Sequence, residues 1–92
     1  MMLPTIHSNG SSVTQLLEDM NEASQALRQA IEKLEIAGPD GRDYYPQGSP
    51  ALPQAQKEHR ERVQALFQVR KELLEIIEYL LDQEDQREQG RA

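Results

Sequence analysis

Side chains able to serve as nucleophile, base or metal ligand are sparse in this chain. His7 and His59 are its two histidines, and cysteine is absent. A hydrolytic triad needs a positioned base beside a nucleophile, and no strand-turn-helix elbow offers one here. Carboxylate metal centres of helical bundles use Glu-x-x-His on facing helices. Before His59 stand Gln56, Lys57 and Glu58, so that pattern fails at Gln56. Glu72, Glu75 and Glu78 step around the solvent side of their helix. Gly38 and Gly41 lack the Gly-Lys-Ser/Thr and the preceding strand of a phosphate loop. The sequence therefore nominates no catalytic residue, no cofactor and no metal, and the chain reads as non-enzymatic.

Three charged features remain. Arg70 stands inside an apolar arc, between Phe67, Leu66, Leu73 and Leu74. A charge there is costly unless it is paired. Either it pairs, with Asp19 the candidate, or its stem lies along the core and its head reaches water. Lys57–Arg62 is a mixed-charge segment in which Lys57/Glu61 and Glu58/Arg62 form i, i+4 pairs. Two acids and no aromatics make it a poor nucleic-acid patch. His59 falls on the core side, one turn before Val63, where it faces the inter-helix loop.

These residues are positioned by helices. In residues 63–81, Val63, Leu66, Leu73, Ile77 and Leu80 share one stripe at about 100° per residue. Phe67, Leu74 and Leu81 widen it on one side, Val69 and Ile76 on the other. The arc spans roughly half the circumference, more than the ~100° that rests on one neighbour. The surface expected between chains comprises Val63, Leu66, Phe67, Val69, Arg70, Leu73, Leu74, Ile76, Ile77 and Leu80.

An earlier helix opens at Ser11 or Ser12, where Ser12 and Gln15 match a capping box. Its heptads place Val13, Met20, Leu27 and Leu34 at one core position and Leu16, Ala23, Ala30 and Ala37 at the next, flanked by Leu17, Ser24 and Ile31. Gly38-Pro39 ends it. The long connection GPDGRDYYPQGSP has a tight turn at Pro39–Gly41, then an extended run held by Pro46, Gly48 and Pro50. At least one of Tyr44 and Tyr45 should lie on the bundle end with its hydroxyl bonded. With Arg42 and Asp43 they form a candidate partner loop.

The fold class is all-α: an antiparallel two-helix hairpin with helices at about 11–37 and 51–86 and a loop at 38–50. Residues 1–10 form an extended lead-in, in which Leu3 and Ile6 either fold back on the bundle or stay loose. Residues 87–92 should fray. At 92 residues without a disulfide, a single hairpin buries too little, and association is the remaining route to a core.

Two hairpins would make a four-helix bundle. Glu18, Asp19, Glu22, Glu78, Asp82, Glu84 and Asp85 form an acidic pole; Arg42, Lys57, Arg60 and Arg62 lie at the loop pole. Unlike poles favour an antiparallel homodimer. The net charge of −6 argues against general nucleic-acid affinity. No apolar run spans a bilayer, and no secretory signal opens the chain, which points to the cytoplasm.

The lead-in Ile6-His7-Ser8-Asn9-Gly10-Ser11 and the octet Gly41-Arg42-Asp43-Tyr44-Tyr45-Pro46-Gln47-Gly48 resemble short uncharacterised bacterial and phage or prophage two-helix proteins. The resemblance covers most of the chain and implies a hairpin, virion-associated if phage-derived, but no activity. The leading expectation is a self-associating structural or adaptor protein. Alternatives are a nucleic-acid-associated regulator using Lys57–Arg62, or a secretion- or chaperone-type partner whose arc another protein covers.

Overall fold

The computed structural model describes residues 1–89, with side chains through residue 87. Two helices dominate: α1 (Val13–Ile36) and α2 (Ala51–Gln89). Between them lie two short 3₁₀ turns, Gly41–Asp43 and Tyr45–Gln47. There is no strand among the described residues. His59 bonds to Leu34 and Arg70 to Ser24, so numbers rise along α2 as they fall along α1. The chain is thus an antiparallel helical hairpin. It is a rod of 68 × 21 × 21 Å with a radius of gyration of 19.8 Å. A compact domain of this length would have roughly 12 Å.

Ser12 caps α1, its hydroxyl accepting from the Gln15 backbone N–H at 3.1 Å. The reciprocal arm of the capping box is missing, because the Gln15 amide donates forward to Asp19 at 2.9 Å. α1 ends with Ala37 as its C-cap, and the Gly38 N–H turns to the Glu35 carbonyl at 3.2 Å. Gly38 is not left-handed; Gly48, at φ 103°, is the one described residue with positive φ. What Gly38 supplies is room: a Cβ there would sit 3.2 Å from the Glu35 oxygen and 3.5 Å from the His59 ring.

The connection is more wound than the sequence suggested. The Asp40 carboxylate accepts from the Arg42 backbone N–H at 2.9 Å and starts the first 3₁₀ turn. Pro46 lies inside the second turn rather than in an extended run. Gly48 then redirects the chain, and the Ala51 N–H bonds to its carbonyl at 3.2 Å.

The core is thin. Val13, Ile31, Ile77 and Leu80 are its buried apolar residues, and Ser24 is buried with them at 3% exposure. Ala23, Ala30 and Ala37 are exposed, contrary to their expected place against the partner helix. The Val13, Met20, Leu27 and Leu34 series stays on the inner side, buried or half-buried, while Leu17, Ser24 and Ile31 replace the alanines as the second inward series and the alanines form a flank. α2, at 39 residues, is roughly 58 Å long against roughly 36 Å for the 24 residues of α1.

The lead-in segment covers part of this overhang. It turns at His7–Gly10 and lays Ile6, His7 and Ser8 around a hollow with Gln83 and Arg87. Ile76, Tyr79, Leu80 and Gln83, at i, i+3, i+4 and i+7, are all at least half-buried. Leu80 is fully enclosed, a burial that contributes roughly 1.5–3 kcal/mol. α2 runs to Gln89, three residues past its expected end at residue 86; residues 90–92 lie outside the described residues.

Candidate functional site

No charged centre organises the surface. Arg70 does not pair with Asp19: its Nε donates to the Ser24 backbone carbonyl at 3.2 Å. Ser24 is small enough to leave a notch that the Arg70 stem crosses, half-buried, to reach that carbonyl. Asp19 is occupied with Gln15. His59 is also structural. Its Nε2 donates to the Leu34 carbonyl at 2.7 Å, an oxygen the Gly38 N–H leaves free by turning to Glu35. This caps the C-terminus of α1 from the neighbouring helix, where a donor complements unsatisfied carbonyls.

Around Lys57–Arg62, Lys57 and Glu61 approach to 4.0 Å, whereas Glu58 and Arg62 form no ion pair among the described residues. No cluster of metal-ligating side chains occurs among the described residues. None of the described helices is long and apolar enough to cross a membrane.

At the loop pole Arg42 folds back on Asp40 at 3.2 Å and holds that carboxyl below its ordinary range, chiefly through the backbone N–H and then through the guanidinium. Tyr44 is half-buried and borders an open hollow of about 340 Å³ with Ala37, Ala51, Glu58, His59 and Arg62. Its hydroxyl finds no partner among the described residues, contrary to expectation. Tyr45 is 78% exposed at the tip. Asp43 is exposed as well, so the four loop residues do not converge on one site.

The apolar arc of α2 divides into three strips. Ile77 and Leu80 are consumed inside the hairpin and have no surface left for another chain. Val63, Leu66, Arg70, Leu73 and Ile76 are half-buried. Phe67, Val69, Leu74 and Leu81 remain 43–51% exposed. They fall on two opposite flanks, which the hollows between the helices identify. Ala37, the C-cap of α1, shares a hollow with Glu58 and Arg62 of α2. Seven-residue steps keep a helix position on nearly the same face. Ala23 and Ala30 therefore lie on the flank of Ala37, and Val69 and Ile76 on that of Arg62. Glu35 instead shares a hollow with Arg60, Val63 and Gln64. Steps of seven from Arg60 reach Phe67, Leu74 and Leu81.

One flank is thus apolar on both helices, with alanines on α1 and Val69 and Ile76 on α2; the lead-in segment borders its acidic end at Gln83. The other is apolar on α2 alone, since Asn21, Arg28 and Glu35 line the α1 side, all exposed. The sequence nominated both edges of the arc. It missed the alanine flank, Tyr79 and the Ser24 notch; a small polar residue at the level of Arg70 was the available signal for the notch. No family model, curated protein or solved structure matches the chain.

Proposed function

We propose that the chain is a small non-enzymatic structural or adaptor protein that works by self-association and protein contacts. The observation that carries this is Val69, 45% exposed on the flank that also carries the exposed Ala23, Ala30 and Ala37. A flank that is apolar on both helices suits a second hairpin, and alanine lets helix backbones approach closely. Two hairpins packed antiparallel on this flank make a four-helix bundle and bring acidic and loop poles together. Such a protein would act in the cytoplasm, or in a virion if the chain is phage-derived.

Sedimentation equilibrium tests the reading. The unaltered chain should show at least twice its sequence mass at micromolar concentration, and Val69→Glu should lower that mass with helicity kept. A stable monomer for the unaltered chain would overturn it. Salt-dependent binding to DNA or RNA would favour the regulator built on Lys57–Arg62 instead. A poorly folded isolated chain rescued by a different protein would favour the secretion- or chaperone-type partner.

A further inference from the structure

The flank of Phe67, Leu74 and Leu81 stands apart from the one just described. These side chains are 44%, 43% and 51% exposed. Their α1 neighbours on this side cannot cover them: Arg28 is engaged with Gln25 and Glu32, and Glu35 is exposed. The lead-in segment lies at Gln83, on the other flank.

We propose that this strip is a second contact between copies of the chain, α2 against α2, antiparallel, with a two-fold axis at Leu74. Leu74 is equidistant in sequence from Phe67 and Leu81. An antiparallel copy centred there sets Leu74 on Leu74 and Phe67 on Leu81 of the second copy, twice over. Every exposed apolar side chain of the strip is then met by another.

The flanking charges fit the same register. Lys71 and Glu78 lie one step further toward solvent, three residues before and four after Leu74. Neither pairs within its own chain among the described residues. In the antiparallel register Lys71 of each copy faces Glu78 of the other. A parallel pairing carries the Lys71–Glu78 edges of the two copies to opposite sides of the contact, where neither charge meets its opposite. A slip of one heptad places Arg60 against Leu81. The strip is thus complementary to itself in one orientation, as an isologous contact must be. It does not rest on how the Val69 flank is used.

The absence of cysteine allows a direct test. Leu74→Cys places two thiols across the axis, whereas Gln68→Cys places one on the far face of α2. At tens of micromolar protein under mild oxidant, Leu74→Cys should cross-link on the order of tenfold faster or more, as a held pair has a millimolar effective concentration. The comparison is repeated with Val69→Glu added, so that failure of the bundle proposed above does not mask this contact. Lys71→Glu and Glu78→Lys should each slow cross-linking of Leu74→Cys. Mixing the two should restore it in mixed pairs, because each then meets its opposite. Equal rates for Leu74→Cys and Gln68→Cys, or no recovery on mixing, would overturn the proposal. Both charge positions are exposed, so helicity by circular dichroism should stay unchanged throughout.

Discussion

Replacing Ser24 by leucine tests the notch that seats Arg70. Ser24 is 3% exposed, and the Arg70 Nε lies 3.2 Å from its carbonyl. A leucine at this buried position has to compete with the arginine stem for space. Overpacking of this kind costs about 1–3 kcal/mol. For a domain of this size each kcal/mol lowers Tm by about 4–8 °C, so a drop on the order of 10 °C is expected. Arg70→Ala alone should cost less. The Ser24 carbonyl lies within α1 and keeps its intrahelical bond, so no acceptor is orphaned; the loss is about 0.5–1.5 kcal/mol of hydrogen bonding plus some stem packing. Removing the stem also makes room for leucine, so the double variant should be more stable than the sum of the singles by about 1 kcal/mol. Urea unfolding followed by circular dichroism gives all four corners of the cycle. Protein concentration must be held fixed, because association shifts apparent stability. Additivity to within about 0.5 kcal/mol would refute the notch.

His59→Ala should cost about 1–3 kcal/mol, because it orphans the Leu34 carbonyl at the end of α1; unfolding measurements check this, and no change would mean that water caps the carbonyl equally well. Ser12→Ala should lower stability by about 1 kcal/mol and expose the first amides of α1, notably Gln15, to faster hydrogen exchange. The Asp40 carboxyl titrates below its ordinary value of 3.8, which means that the folded chain holds that proton more weakly than the unfolded one. Its contribution is therefore complete above the unfolded value and is lost as pH falls through the lower folded one. The Arg42 amide resonance should report a midpoint below 3.8; a midpoint above it would contradict the turn geometry.

The hairpin was legible because its evidence was redundant. Val63, Leu66, Leu73, Ile77 and Leu80 repeat the same stripe over many turns, and Ser12 and Gly38 punctuate the first helix. Phase was harder to read than period. Ala23 and Ser24 are adjacent, both lie in seven-residue series, and hydropathy favours alanine for the interior. What decided otherwise was the bulk of Arg70 on the facing helix, a tertiary requirement invisible to single-helix counting. The end of α2 was underestimated for a related reason. Asp82–Arg87 lack an apolar period, but glutamate, glutamine and arginine are good helix formers in their own right, and the lead-in segment gives Gln83 and Arg87 a neighbour. In the connection, Pro46 and Pro50 suggested extension, whereas the Asp40 carboxylate nucleated winding that residue type alone does not reveal.

The thin core has a consequence for how the rod comes apart. Val13, Ile77 and Leu80 sit together near the acidic pole, while Ile31 is alone toward the loop. Amide exchange should therefore be graded along the long axis. Protons around Ile77 and Leu80 should leave last, with the global opening, and those flanking the connection first, by partial unzipping. A rod two helices thick thus has a hinge end and a locked end, and pulling the helices apart at the loop should meet the lesser resistance.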